Sequence, residues 1–119
     1  MPLRDVVPSL GPHTAMAFFD QDSAALSARA REMIAEDRRI FLEGNFRTLE
    51  AVGYADMAEH DPIGLSLRRA LAVRDELIRL GIDADTIEVR GAGTHMPIAP
   101  NVEGRPEPQN RRADVEIGD

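Results

Sequence analysis

The sequence contains no cysteine and no lysine, and each absence removes a class of chemistry. Without cysteine the chain forms no disulfide, carries no thiolate nucleophile and offers no sulfur ligand to zinc. Without lysine no side chain can form a Schiff base. All 14 basic residues are arginines, whose planar guanidinium stays charged. Every permanently charged cationic side chain of this protein is therefore an arginine guanidinium.

Positive charge is also scarce, because the 14 arginines face 21 aspartates and glutamates, which gives a net charge of −7. An acidic chain argues against nucleic acid as a partner, since a phosphate backbone is bound by clustered cations. The first residues lack the apolar run of a signal peptide or a membrane span. We therefore expect either a cytoplasmic protein or a mature or excised domain of a longer one.

Motifs for catalysis and for metal or cofactor binding are lacking as well. His13, His60 and His95 are scattered and are not spaced as metal ligands. Residues 64–68 begin like the nucleophile elbow of a hydrolase, but they end in arginine and fall within a predicted helix. Residues 91–93 begin like a dinucleotide fingerprint, without its last glycine or a following helix. We predict a protein that is not an enzyme and uses no metal and no cofactor.

The hydrophobic pattern predicts six elements in the order β-α-β-α-β-β, an α/β (α+β) fold with helices packed on a sheet. The predicted strands are residues 14–19, 48–53, 86–90 and 112–117, and the predicted helices are residues 27–42 and the segment between Asp61 and Gly81. Ser27 and Asp61 are suited to cap helix starts, and Gly81 to end a helix. Residues 1–12 contain three prolines and are interpreted as a linker, which leaves residues 13–119 as the domain. A long proline-rich loop is predicted at residues 91–110.

Two adjacent arginines in the second predicted helix face different ways. Arg69 lies four residues before Val73 and eight before Leu77, on the apolar stripe, whereas Arg68 falls on a solvated face. An arginine on an apolar stripe needs a charged partner or a ligand, because burying it unpaired is costly. Asp56, in the preceding loop, is the candidate partner. On spacing alone a structural ion pair is favoured, with a ligand site as the alternative.

Several segments, in this order and spacing, resemble one known family. They are residues 18–24 (FFDQDSA), 49–56 (LEAVGYAD), 65–73 (LSLRRALAV), 80–82 (LGI) and 87–93 (IEVRGAG), followed by Pro97, Asn101 and residues 110–112 (NRR). The family is the OmpA-like peptidoglycan-binding domain, which includes the OmpA C-terminal domain, peptidoglycan-associated lipoproteins and the MotB periplasmic domain. The resemblance covers nearly the whole chain and implies a mixed four-stranded sheet with helices packed on it.

The resemblance implies that the chain is a binding module for the free end of a peptidoglycan stem peptide. That end is usually meso-diaminopimelate, which carries an ammonium and a carboxylate on one carbon. Asp56 matches the family's ammonium-binding aspartate, and Arg69 matches its carboxylate-binding arginine, which can donate two parallel hydrogen bonds. Such a domain tethers an envelope protein to the cell wall. The resemblance therefore implies a periplasmic location and a longer precursor or an excised domain.

The resemblance also assigns supporting roles around the two charged residues. Six residues are implied: Phe19 and Asp20, which match the family's first loop, Ala55, Met57 and Leu65 as pocket walls, and Arg112 at the last strand. Phe19 and Asp20 would contribute chiefly backbone groups. Arg111 and Arg112 match the family's terminal arginines, and anchoring the long loop to the last strand is their favoured role.

Departures from the family pattern keep a second function open. The threonine before the aspartate is Ala55 here, the asparagine at the helix start is Pro62, and the loop from Asp56 to Leu65 is shorter. The alternative is a degenerate OmpA-like scaffold without wall binding, used for protein–protein contacts or dimerisation in an envelope complex. In that case Asp56 and Arg69 would only pair with each other.

Overall fold

The computed structural model describes residues 13–95 and 106–119. Its elements are the strands β1 (His13–Phe18), β2 (Thr48–Gly53), β3 (Ile87–Gly91) and β4 (Arg112–Gly118) and the helices α1 (Ala28–Glu43) and α2 (Pro62–Arg79). Single 3-10 turns, Ala84–Thr86 and Pro108–Asn110, precede β3 and β4. This order confirms the predicted β-α-β-α-β-β arrangement. The predicted linker at residues 1–12 lies outside the described residues, as do Pro97, Asn101 and the middle of the predicted proline-rich loop.

The four strands form one mixed sheet in the order β1-β4-β2-β3. The last strand, β4, lies inside the sheet and is antiparallel to both β1 and β2, whereas β2 and β3 are parallel. The pairing of β4 with β2 continues past the strand, since the Tyr54 amide donates to the Arg112 carbonyl at 2.8 Å. The end of β2 and the start of β4 are therefore neighbours, which brings the loop before α2 beside the residues that precede β4.

The core lies between the sheet and the two helices and is mainly aliphatic. Strand alternation directs one set of side chains toward the helices. The strands contribute Leu49, Ala51, Ala113, Val115 and Ile117, and the helices contribute Ala30, Ile34, Phe41, Ala70, Val73 and Leu77. Two apolar residues, Met33 in α1 and Leu80 just past the end of α2, are only half-buried.

Helix boundaries follow the predicted capping residues. The Ser27 hydroxyl accepts a hydrogen bond from the Ala30 amide at 3.0 Å, and the Asp61 carboxylate accepts one from the Gly64 amide at 3.2 Å. Beyond the end of α2, Gly81 has a φ of +102°, a conformation that glycine adopts without steric cost. The start of α2, and with it the position of every side chain in its first turns, is thus fixed by local chemistry.

Two glycines let α2 lie directly against the sheet. A Cβ placed on Gly53 would lie 1.7 Å from the backbone oxygen of Ser66. A Cβ placed on Gly91 would lie 2.8 Å from the backbone nitrogen of Leu67. Because α2 is seated this closely, its next turn carries Arg69 to the end of β2. In the part of the chain that the structure describes, neither helix is both long and apolar enough to cross a membrane.

Candidate functional site

Arg69 is completely buried at the end of β2, and its guanidinium ties two loops together. Its Nε donates to the Ser23 carbonyl at 2.9 Å, and one terminal nitrogen donates to the Asp20 carbonyl at 3.1 Å. Both acceptors lie in the loop that follows β1. The other terminal nitrogen donates to the Tyr54 carbonyl, just past β2, at 3.0 Å. Arg69 therefore crosslinks the backbone at two points of the chain that are distant in sequence.

Glu59 neutralises the charge of Arg69. The two side chains form two parallel hydrogen bonds, one of 2.6 Å between Nη1 and Oε1 and one between Nη2 and Oε2, and both side chains are fully buried. The Glu59 carboxylate also accepts from the Asp22 amide at 2.8 Å and from the Asp56 amide at 3.0 Å. Since arginine has five N–H donors, Arg69 has used every one. We call these groups the Arg69–Glu59 network.

The predicted structural ion pair exists, but its acid is Glu59 and not Asp56. The loop after β2 turns back on itself, because the Glu59 amide donates to the Asp56 carbonyl at 3.3 Å. That turn directs the longer Glu59 side chain inward, toward α2. The loop between β2 and the capping residue Asp61 carries two acids without a periodic pattern, and the prediction of Asp56 as the partner is wrong.

Asp56 is also completely buried, with its own set of partners. One carboxylate oxygen accepts from the Ala58 amide at 2.7 Å, and the other accepts from the Glu107 amide at 3.2 Å. The second oxygen also lies 3.5 Å from Nη1 of Arg111. The structure thus brings Asp56 and Arg69 to one place, where Glu59 Oε1 receives bonds from both the Asp56 amide and the Arg69 guanidinium.

Of the two terminal arginines, only Arg111 reaches this place. It donates from Nε to the Phe19 carbonyl at 3.1 Å and lies beside the buried aspartate. Arg112, which the resemblance implied as a supporting residue, turns to the sheet face away from the helices, because neighbouring strand residues alternate. There its guanidinium lies 3.9 Å from the Tyr54 ring centre, and its Nε donates to Asp114 at 3.0 Å.

The other five residues implied as supporting occupy different environments. Phe19 is buried, with the Arg69 guanidinium 5.2 Å from its ring centre, and Asp20 contributes its carbonyl while its side chain is exposed. Ala55 is buried and donates its amide to the Gly93 carbonyl at 2.8 Å. Leu65 is buried in α2, whereas Met57 is 47% exposed. The contact between Asp20 and Arg69 is therefore made by the Asp20 backbone.

Asp22 links the same two loops from the outside. Its carboxylate accepts from the His60 amide at 2.8 Å and lies 3.1 Å from the ring nitrogen Nδ1. These hydrogen bonds, the backbone one foremost, lower the pKa of Asp22 below its usual value. Asp22 adopts a φ of +57°, which suits a turn residue. The contact between Asp22 and His60 therefore lies on the solvent side of the Arg69–Glu59 network.

A surface groove of about 560 Å³ lies beside the first turn of α2. Its lining consists of Pro62, Ile63 and residues 90–95. Ile63 is 75% exposed there. The groove is therefore a surface feature separate from the buried network. Within residues 13–95 and 106–119, no group of three or more histidines and acids is arranged to hold a metal ion.

Comparisons with known proteins agree with this architecture. A family model described as OmpA family matches residues 18–111. An outer membrane protein of Gluconacetobacter diazotrophicus is 37% identical over 110 residues, which cover 86% of this chain and 29% of that protein. Outer membrane protein A of Bordetella avium is 33% identical over 102 residues, covering 84% and 53%. The chain therefore spans only part of the length of these relatives.

Solved structures share the fold. The crystal structure of the peptidoglycan-associated lipoprotein from Burkholderia pseudomallei matches with a TM-score of 0.75 and 25% sequence identity. The match covers 86% of this chain and 88% of that one. The mixed sheet with two helices is thus the architecture of a domain found in proteins of the bacterial envelope.

Proposed function

Because this chain belongs to the OmpA family, we propose that it is a non-catalytic domain that binds peptidoglycan and tethers an envelope protein to the cell wall. The relatives are named as outer membrane proteins and as a peptidoglycan-associated lipoprotein. The proposed ligand is the diaminopimelate end of a stem peptide. The proposed place of action is the periplasm, with the domain belonging to a longer precursor.

The observation that carries this proposal is the meeting of Asp56 and Arg69 at one end of the sheet. Diaminopimelate presents an ammonium and a carboxylate on one carbon, so its recognition needs an acid and a planar cation close together. Asp56 is the proposed ammonium partner and Arg69 the proposed carboxylate partner. Phe19 supports the guanidinium from one side, at 5.2 Å from the ring centre.

Burial sets the condition for binding. Asp56 and Arg69 are both fully buried, and the Glu107 amide donates to the Asp56 carboxylate at 3.2 Å. A ligand therefore has to displace the backbone around residue 107 and part of the loop that precedes α2. Loops of this kind are the segments that open most readily in a folded domain.

A calorimetric titration with a diaminopimelate-terminated stem tripeptide tests the proposal. Asp56→Asn keeps the size of the side chain but removes its charge, so we expect binding to weaken about tenfold to a hundredfold, the loss of one charged hydrogen bond. Asp75→Asn is the matched control, because Asp75 is an exposed acid on α2. Wild-type protein that is folded but binds neither the tripeptide nor purified cell-wall sacculi would contradict the proposal.

One observation favours the second candidate function, an OmpA-like scaffold for protein–protein contacts or dimerisation. Every donor of Arg69 is already engaged within the chain, and its ion pair is a complete structural unit. In that case substitutions at Arg69 would lower stability and leave sacculus binding absent in all proteins. Sedimentation of the wild-type protein, alone and with envelope proteins, would then identify the partner.

A further inference from the structure

The Glu59 carboxylate occupies the place on Arg69 that the proposed function gives to a ligand. Arg69 holds it by two parallel hydrogen bonds, the geometry in which arginine binds a free carboxylate. The backbone amides of Asp22 and Asp56 add two more bonds to the same carboxylate. A ligand carboxylate would have to replace a partner that already accepts four hydrogen bonds.

The loop before α2 itself presents Glu59 in this position. The Glu59 amide donates to the Asp56 carbonyl, and the Asp56 carboxylate accepts from the Ala58 amide at 2.7 Å, which together close a tight turn. The next residue, His60, is held by Asp22 through both its amide and its ring. The placement of Glu59 is therefore built into the folded loop.

Charge decides what such a site accepts. Glu59 neutralises Arg69, and Asp56 lies beside Arg111 at 3.5 Å. A ligand carboxylate that entered while Glu59 stayed in place would find Arg69 and Arg111 already paired with acids. Its charge would be uncompensated in a poorly solvated space, where an unpaired charge is costly. A carboxamide of the same shape carries no charge and avoids that cost.

We infer that Glu59 is a specificity-determining residue, which acts as a resident carboxylate on Arg69. It makes the site discriminate against a free carboxylate at this position and relatively favour a neutral group such as a carboxamide. The inference rests on the proposed function only for the identity of the ligand. Removing the glutamate should open the guanidinium to an external carboxylate.

The first test uses acetate as a minimal external carboxylate. Thermal unfolding is measured for the wild type and for Glu59→Ala, in sodium acetate and in sodium chloride of equal ionic strength. We expect acetate to raise the melting temperature of Glu59→Ala by several degrees and to leave the wild type unchanged, because a ligand that binds only the folded state stabilises it. Glu76→Ala is the matched control, since Glu76 is another buried acid that pairs with an arginine on α2, the exposed Arg79.

The second test measures ligand preference by calorimetry. Two stem tripeptides are compared, one ending in diaminopimelate with a free terminal carboxylate and one with that carboxylate amidated. We expect the wild type to bind the amide at least as tightly as the acid. Glu59→Gln, which keeps the side-chain volume, should bind the acid about tenfold more tightly than the amide. A purely structural role for Glu59 would lower the affinity for both ligands together.

The outcomes separate this inference from the proposed function. Acetate stabilisation confined to Glu59→Ala supports the inference, even if no protein binds a tripeptide, a result that would contradict only the proposed function. Tripeptide binding with the same acid-to-amide ratio in the wild type and Glu59→Gln overturns the inference and leaves the proposed function standing. Equal acetate effects in all proteins also overturn it. A Glu59→Ala protein that acetate neither stabilises nor helps to fold would overturn the inference as well.

Discussion

Two buried arginine–carboxylate pairs lie on opposite sides of the sheet, and they are held in different ways. Arg69 and Glu59 lie on the helix side of the sheet. The guanidinium donates five hydrogen bonds and the carboxylate accepts four, and two of these join the pair itself. Arg112 and Asp114 lie on the far face, two residues apart on one strand, joined through a single Nε donor at 3.0 Å. The Arg112 guanidinium also stacks on an aromatic ring.

The two buried carboxylates differ in their hydrogen bonds: among the described residues, Glu59 accepts four, whereas Asp114 accepts one from the Arg112 side chain. Burial raises the pKa of Asp114, and the charge and hydrogen bond of Arg112 offset this only in part. The environment of Asp114 therefore disfavours its charge. At Glu59, the backbone amides of Asp22 and Asp56, from two loops, add two hydrogen bonds to those that Arg69 donates. A buried ion pair repays its desolvation only when its remaining polar atoms are satisfied.

The largest effect should come from breaking the better-satisfied pair. Arg69→Met leaves the Glu59 carboxylate buried without its cation and removes a donor from the carbonyls of Asp20, Ser23 and Tyr54. We expect the free energy of unfolding to fall by about 3–5 kcal/mol, the usual cost of breaking a buried pair. Urea denaturation at neutral pH measures it. A loss below about 1 kcal/mol would mean that the network contributes little and that the two pairs are equivalent.

A smaller and pH-dependent effect is expected on the far face. Because the folded pKa of Asp114 is raised, the folded state holds that proton more tightly than the unfolded state. The resulting stability is present below the ordinary aspartate pKa and is lost as pH rises through the folded value. Asp114→Asn should therefore flatten the decline of stability above about pH 4, and should change stability at pH 7 by about 1 kcal/mol or less.

Urea titrations of the wild type and Asp114→Asn, repeated at several pH values, measure this slope. Part of the slope should persist, because burial and the charge of Glu50 also raise the pKa of Glu116. Glu76→Gln provides the opposite control. Its hydrogen bond with Arg79 lowers the pKa of Glu76, so its contribution is lost as pH falls. An unchanged slope in Asp114→Asn would show that burial does not disfavour the charged form of Asp114.

The sequence predicted the elements and the direction of Arg69, because both depend on local chemistry or on periodicity. Capping by Asp61 and the spacing of Arg69 from Val73 are visible without a structure. The partner of Arg69 was not predictable in this way, since the loop that carries Asp56 and Glu59 has no repeating pattern. Both acids are buried, and only the folded turn shows which of them reaches Arg69.

The buried pair on the far face was missed for a different reason. Alternation along β4 correctly separates Asp114 from the core residues Ala113 and Val115. It tells which face of the sheet a side chain takes, and it carries no information on whether that face is covered. Asp114 is nevertheless only 7% exposed. The outcome at such a position depends on tertiary contacts that a strand pattern cannot contain.

The smallest effect should come from the arginine that precedes Arg69. Arg68 is 57% exposed, and its terminal nitrogen lies 3.7 Å from the Asp61 carboxylate, an ion pair open to solvent. Arg68→Ala should change the free energy of unfolding by less than about 0.5 kcal/mol and leave ligand binding unaltered, because water replaces an exposed partner at little cost. The same urea titration measures it. Arg68 and Arg69 carry equal charge on adjacent positions of one helix, so the gap between their two substitutions isolates what the enclosed network contributes. A loss at Arg68 as large as that at Arg69 would assign the effect to helix charge instead.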